Sequence, residues 1–157
     1  AVITAGFAVY YLPKLSRMND RAEIRLEMLR YYRTVVPLVI AASAAVYLLR
    51  QHVVWLLYSN DFSPAVDLFA WQMAGDVVKI ASWVMAYMLV AKGMTMLTVG
   101  SEIVFGAINY VSNLFLIPLL GIKAPVIIYF SVYLLYAAFC WLVIGRRYLL
   151  AGTVDGR

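Results

Sequence analysis

The chain has 157 residues, of which 65% are hydrophobic and 13% charged, with a formal net charge of +5. Soluble domains carry about 25% charged residues, and a helix needs about 20 apolar residues to cross a bilayer, a length several stretches here reach. The composition therefore excludes an ordinary soluble domain and points to an all-α integral membrane protein.

The first apolar run, Ala1 to Leu12, is too short to span and lacks the basic start of a signal peptide. It is expected to be the end of a longer helix, and the chain a part of a larger protein. After Pro13 and a polar stretch, residues 21–33 place Ile24, Met28, Tyr31 and Val35 at helical spacing among charges, which predicts an amphipathic surface helix. It runs into a second span over 34–58, with Pro37 at its entry and Trp55 and Tyr58 suited to the headgroup level. Its run Ala41, Ala42, Ser43, Ala44, Ala45 would permit close helix contact. The third span, 64–92, is punctuated by Ser63 and Pro64 at its start and Gly93 at its end. The fourth covers 95–119, with Pro118 and Gly121 at its exit. The fifth covers 125–147, and 148–157 form a tail.

The basic residues follow this count. Lys14, Arg17, Arg21, Arg25, Arg30 and Arg33 precede the second span, Lys92 separates the third from the fourth, and Arg146, Arg147 and Arg157 follow the fifth. All fall on one side, expected to be cytoplasmic. Arg50 and Lys123 remain on the other. The positive charge thus serves topology and gives no sign of nucleic-acid binding. Cys140 is the only cysteine and His52 the only histidine, so neither a disulfide, a Cys-based metal site nor a Ser–His pair has anything to build on. No cofactor is expected.

The third span carries the chemistry. Gln72, Asp76 and Lys79 stand at i, i+4 and i+7 on one face, with Ser82 extending the stripe. Asp76 and Lys79 lie ~18 to 23 Å from Pro64 along the helix, near mid-membrane. An intramembrane charge costs about 2.5–3.5 kcal/mol on insertion scales, so such residues face a bundle interior or a polar cavity. Two readings stand open: a pair that only cancels its own cost, or the wall of a polar pathway. The fourth span has a matching stripe of Thr95, Thr98, Glu102, Gly106, Asn109 and Asn113, which reads either as helix–helix glue or as pathway. Arg50 snorkels to the outer interface or lines the mouth of the cavity. The fifth span is free of charge between Pro125 and Gly145 and is expected to be an outer, lipid-facing helix.

Three runs give a family resemblance: VYYLPKLSRM (9–18), VYLLRQHVVWLLYSNDF (46–62) and above all DLFAWQMAGDVVKIASWVMAYMLVAKG (67–93). They resemble Wzx-type polysaccharide-lipid flippases of the multidrug/oligosaccharidyl-lipid/polysaccharide exporter superfamily. The likeness covers most of Ala1 to Arg147, tight from Val46 to Glu102 and loose from Val104 onward. It implies a twelve-helix MATE-like fold of two six-helix lobes around a cavity. The segments here would be helices eight to twelve of the second lobe, with a cytoplasmic tail. It also implies a bacterial inner-membrane transporter, not an enzyme. Such a protein moves an undecaprenyl-pyrophosphate-linked oligosaccharide from the cytoplasmic to the periplasmic leaflet by alternating access. The product serves surface polysaccharides such as enterobacterial common antigen and O-antigen. Membrane lipids, a glycan polymerase and a chain-length regulator are the partners implied. Gln72, Asp76 and Lys79 match the family's Gly-Asp-x-x-Lys stretch, here Gly75, Asp76 and Lys79. An ion-coupled drug or cation antiporter of the same superfamily is the competing expectation, with Asp76 as its coupling acid.

Overall fold

A computed structural model describes residues 9, 12–57, 66 and 68–150. The Ser63–Pro64 start signal, nearly all of the run Ala1–Leu12 and the tail from Ala151 lie outside the described residues. Among the described residues six α-helices follow in order: α1 over residues 12–17, α2 (Arg21–Leu48), α3 (Arg50–Leu57), α4 (Phe69–Ala91), α5 (Thr95–Leu120) and α6 (Ala124–Cys140). A 3₁₀ turn (Gly121–Lys123) joins α5 to α6, and a π-helical segment (Trp141–Leu150) prolongs α6. There is no strand among the described residues.

Asp20 caps α2, its carboxylate accepting from the Ala22 N–H at 3.0 Å, with Glu23 in the first turn complementing the helix dipole. The sequence reads a helix over 21–33 that runs into a span starting at Thr34, and the structure has both as one helix. α2 runs unbroken through Pro37 for 28 residues, ~42 Å, enough for a bilayer with its headgroup layers. It ends earlier than expected, at Leu48, and α3 starts afresh after Leu49. Ile24, Met28, Tyr31 and Val35 are buried, as their spacing predicts, together with Glu27. They pack on Val84, Met85, Met88 and Leu89 of α4, with Leu15, Cys140 and Ile144 closing the same core. The face is thus an inward one. The run Ala41–Ala45 is exposed, apart from the partly buried Ser43, and makes no buried seam.

Between helices solvated by lipid the water-transfer term largely vanishes, so packing and interhelical hydrogen bonds hold the bundle. Tyr31 Oη donates to the Ile80 carbonyl at 2.7 Å and Tyr32 Oη to the Ala81 carbonyl at 3.0 Å, tying α2 to the middle of α4. At one end of the bundle Glu27 receives Lys14 at 2.5 Å and Arg30 at 3.4 Å, and Lys92 Nζ donates to the Met18 carbonyl. Residues flanking three different helix ends therefore meet, in keeping with the one-sided basic pattern.

Gly93 ends α4 at φ +69°, with its own N–H on Val90 O and the Met94 N–H on Leu89 O. These two bonds make a Schellman ending, which needs the left-handed residue that glycine supplies. Gly121 turns the chain back at φ 58°, ψ −137°, a region closed to side-chain-bearing residues. α5 and α6 then pair antiparallel, with Phe105 edge-on to Tyr136 (5.2 Å between ring centroids) and beside Phe139 (5.8 Å). Three helical stretches are long and apolar enough to cross a membrane, Arg21–Leu48, Phe69–Ala91 and Thr95–Arg146, and the last folds back on itself at this turn. The chain is therefore an all-α, multi-pass membrane protein.

One expectation is corrected. α6 does not lie outermost: Ile128, Val132 and Cys140 are buried and the helix packs closely along α4. Beyond Pro125 at its start, the exposed face is that of Ser131, Leu134, Leu135 and Ala138. The physical reason is size: Gly75 of α4 lets the Tyr129 ring and the Phe130 backbone approach until a Cβ would meet Tyr129 Cδ1 at 2.5 Å and Phe130 Cα at 3.4 Å.

Candidate substrate-binding site

Helical spacing puts Gln72, Asp76 and Lys79 on the α4 face toward α6, and the structure joins them through Tyr129. Tyr129 Oη donates to Asp76 Oδ1 at 2.7 Å, while Gln72 Nε2 makes longer contacts with the same carboxylate at 3.4 and 3.5 Å. Asp76 and Lys79 do not pair with one another, and the ion pairs among the described residues involve Glu27. The self-cancelling pair is therefore not what is seen.

Lys79 instead has its ammonium among aromatic rings, at 4.9 Å from the Tyr133 centroid, 5.6 Å from Tyr129 and 5.9 Å from Trp83. Each desolvated cation–π contact contributes up to about 2 kcal/mol. Such a cage holds a cation without neutralising it. Tyr129 has a double part, occupying Asp76 with its hydroxyl and facing Lys79 with its ring. The stretch Gly75, Asp76, Lys79 thus reads as one device around Tyr129: room for the ring, an acceptor for the hydroxyl, a cation for the π face.

The backbone below is secured as well. Ser82 Oγ donates to the Lys79 carbonyl at 2.7 Å. With the Tyr31 and Tyr32 bonds, three consecutive carbonyls (Lys79, Ile80, Ala81) each accept a hydroxyl. These carbonyls also lie in the helical ladder, so the added bonds fix α4 at the level of Lys79.

A cavity of about 550 Å³ opens between α4, α5 and α6. Trp83, Tyr129 and Tyr133 of the lysine cage also line it, together with Tyr87, Phe105 and Tyr136. Its polar lining comes from Thr98, Glu102 and Asn109 of α5, and Gly106 leaves the wall bare between them. A Cβ at Gly106 would meet nothing within 4 Å. The structure thus brings Gln72, Asp76, Lys79, Glu102 and Asn109 into one neighbourhood. It does not bring in two other residues singled out. Asn113 turns its amide onto Asn109, donating to its carbonyl at 2.8 Å and its Oδ1 at 3.2 Å, outside the cavity lining. Arg50 is held locally, donating to the Tyr47 carbonyl at 2.8 Å with its guanidinium 4.1 Å over the Tyr47 ring.

The tyrosines of α6 are what the sequence reading missed. Tyr129, Tyr133 and Tyr136 stand at i, i+4 and i+7, a helical stripe as regular as the charged one on α4. That spacing was the available signal.

No protein-family model and no solved structure matches the chain. It is 38% identical over 138 residues to the lipid III flippase of Escherichia coli strain K12, and equally to the lipid III flippase of Shigella flexneri. The matched stretch is 88% of this chain and 33% of each relative, so the chain spans about a third of the length of the curated relatives it matches. The likeness to polysaccharide-lipid flippases read from the residues is thereby upheld, and over most of its length this chain is a sequence relative of proteins named lipid III flippases.

Proposed function

We propose that the chain forms part of the second lobe of a twelve-helix, two-lobe flippase. In this reading it works in the bacterial inner membrane and carries an undecaprenyl-pyrophosphate-linked oligosaccharide from the cytoplasmic to the periplasmic leaflet by alternating access. Surface polysaccharide of the enterobacterial common antigen or O-antigen kind is the product, delivered toward a glycan polymerase and its chain-length regulator. Membrane lipids bathe the prenyl tail throughout. The protein acts as a transporter and not as an enzyme.

The observation that carries this is the state of Lys79: a cation near the middle of a membrane-length helix, caged by three rings and not paired with Asp76. A dianionic headgroup entering a low-dielectric interior needs a positive partner, and an ammonium held only by π faces is free to supply it. Lys79 would bind pyrophosphate as a point charge, with its position set by the rings. Asp76, held by Tyr129 one turn away, keeps the attraction finite so that the headgroup also leaves. The prenyl tail needs no polar route and stays in lipid.

The test is complementation. The full-length protein, expressed in a strain deleted for its own lipid III flippase, should restore surface glycan at normal membrane abundance. Abundant, correctly inserted protein with no surface glycan would refute the assignment. Proton- or cation-coupled drug efflux by the same protein would favour the antiporter.

A further inference from the structure

We infer that the cavity between α4, α5 and α6 is a saccharide subsite, which receives the sugar attached to the pyrophosphate that Lys79 holds; this rests on the flippase reading above.

The lining has the chemistry of carbohydrate recognition. A pyranose has two apolar C–H faces and a rim of hydroxyls. Aromatic side chains of Trp83, Tyr87, Phe105 and Tyr133 in the lining match the former by dispersion and weak C–H contacts. Glu102 and Asn109 match the latter, the carboxylate accepting from hydroxyls and the amide both donating and accepting. At about 550 Å³ the cavity falls within the ~300–1,000 Å³ of small-molecule sites.

The charges decide between possible occupants. Glu102 in the wall disfavours the pyrophosphate itself. A prenyl chain there would strip water from Glu102 and Asn109 and return no hydrogen bond. A neutral, hydroxyl-rich group satisfies both. Position supports the same occupant, because Trp83, Tyr129 and Tyr133 belong both to the cage around Lys79 and to the cavity wall. An anion on Lys79 therefore sits at the cavity's edge, and the first sugar is joined directly to that anion. Gly106, with open space where its Cβ would be, leaves that part of the wall unobstructed.

The experiment measures binding to the full-length transporter in detergent with two probes: polyprenyl pyrophosphate without sugar, and the same lipid carrying one N-acetylhexosamine. The sugar-bearing lipid is expected to bind about tenfold tighter or more, the return on one or two charge-assisted hydrogen bonds. Gly106→Leu, which puts a bulky side chain into the cavity, should reduce that ratio to about one, whereas Gly106→Ala, too small to obstruct it, should keep the ratio and report a folded protein. Should Gly106→Leu not fold, Asn109→Leu takes its place with the same expectation. Lys79→Ala should weaken both probes in parallel and preserve the ratio. Equal affinity of the wild type for both lipids would overturn the subsite while leaving the flippase reading intact. Parallel weakening of both lipids by Gly106→Leu would overturn it too, since the cavity would then hold the prenyl chain or the pyrophosphate. Binding of neither lipid by the wild type would defeat the flippase reading and the subsite with it.

Discussion

At the scale of single residues, Gly75 decides whether the site exists. Any side chain there would put its Cβ 2.5 Å from Tyr129 Cδ1 and 2.7 Å from Cε1. The ring has little freedom to retreat, because its hydroxyl is fixed on Asp76 at 2.7 Å and its other side packs on Tyr133, 4.7 Å between centroids. Gly75→Ala should therefore cost about 1–3 kcal/mol, the usual range for overpacking. Thermal unfolding in detergent measures it, and a second background locates it. With Tyr129→Ala already present, Gly75→Ala should no longer be destabilising, because the ring that it would strike is gone and only the ordinary contact with Phe130 Cα remains. The same loss in both backgrounds would show that the glycine serves the helix backbone and not the tyrosine. Gly75 also marks where reading by residue type stops. The sequence shows a Gly-Asp-x-x-Lys stretch, but nothing in it says that one distant tyrosine, Tyr129 on α6, answers all three residues.

At the scale of elements, periodicity reports which face of a helix is polar or apolar, but not what that face meets. The buried face of α2 was legible residue by residue, but not that it meets α4, because an amphipathic helix looks the same against headgroups as against a neighbouring helix. α6 shows the reverse failure. Its lack of charge suggested an outer helix, while its tyrosine stripe turns inward to face Asp76 and Lys79. A tyrosine carries a large apolar area with one polar tip, so a count of charges overlooks it. The helix ends marked by Gly93 and Gly121 were legible, since backbone geometry alone calls for glycine there. The joint between α2 and α4 gives a test at this scale. Tyr31 and Tyr32 donate to carbonyls that also belong to the helical ladder of α4, so removing the hydroxyls strands no acceptor. The double variant Tyr31→Phe/Tyr32→Phe should lose at least about 1–3 kcal/mol, the worth of two net hydrogen bonds. Unfolding in detergent, compared with the exposed control Tyr110→Phe, checks this. A double variant as stable as the control would mean that packing alone holds α2 on α4.

At the scale of the whole molecule, the described helices form one bundle whose central helix, α4, meets α2 on one side and α6 on another. Much of the apolar surface elsewhere is exposed, including Met96, Ile103, Phe115 and Leu119 on α5, as expected where lipid or further helices replace water. In that setting a lysine caged by rings and not paired with Asp76 is a feature that calls for a purpose. The direct measurement is surface glycan produced by Lys79 variants of the full-length protein in a strain lacking its own flippase, normalised to membrane abundance. Lys79→Ala should lose at least about tenfold in export, since a charge-assisted contact to pyrophosphate is worth roughly 1.5–3 kcal/mol. Lys79→Arg should keep part of the activity, because the charge survives while the geometry changes. Full export by Lys79→Ala at normal abundance would contradict the account, leaving the lysine as a packing element of the aromatic cage.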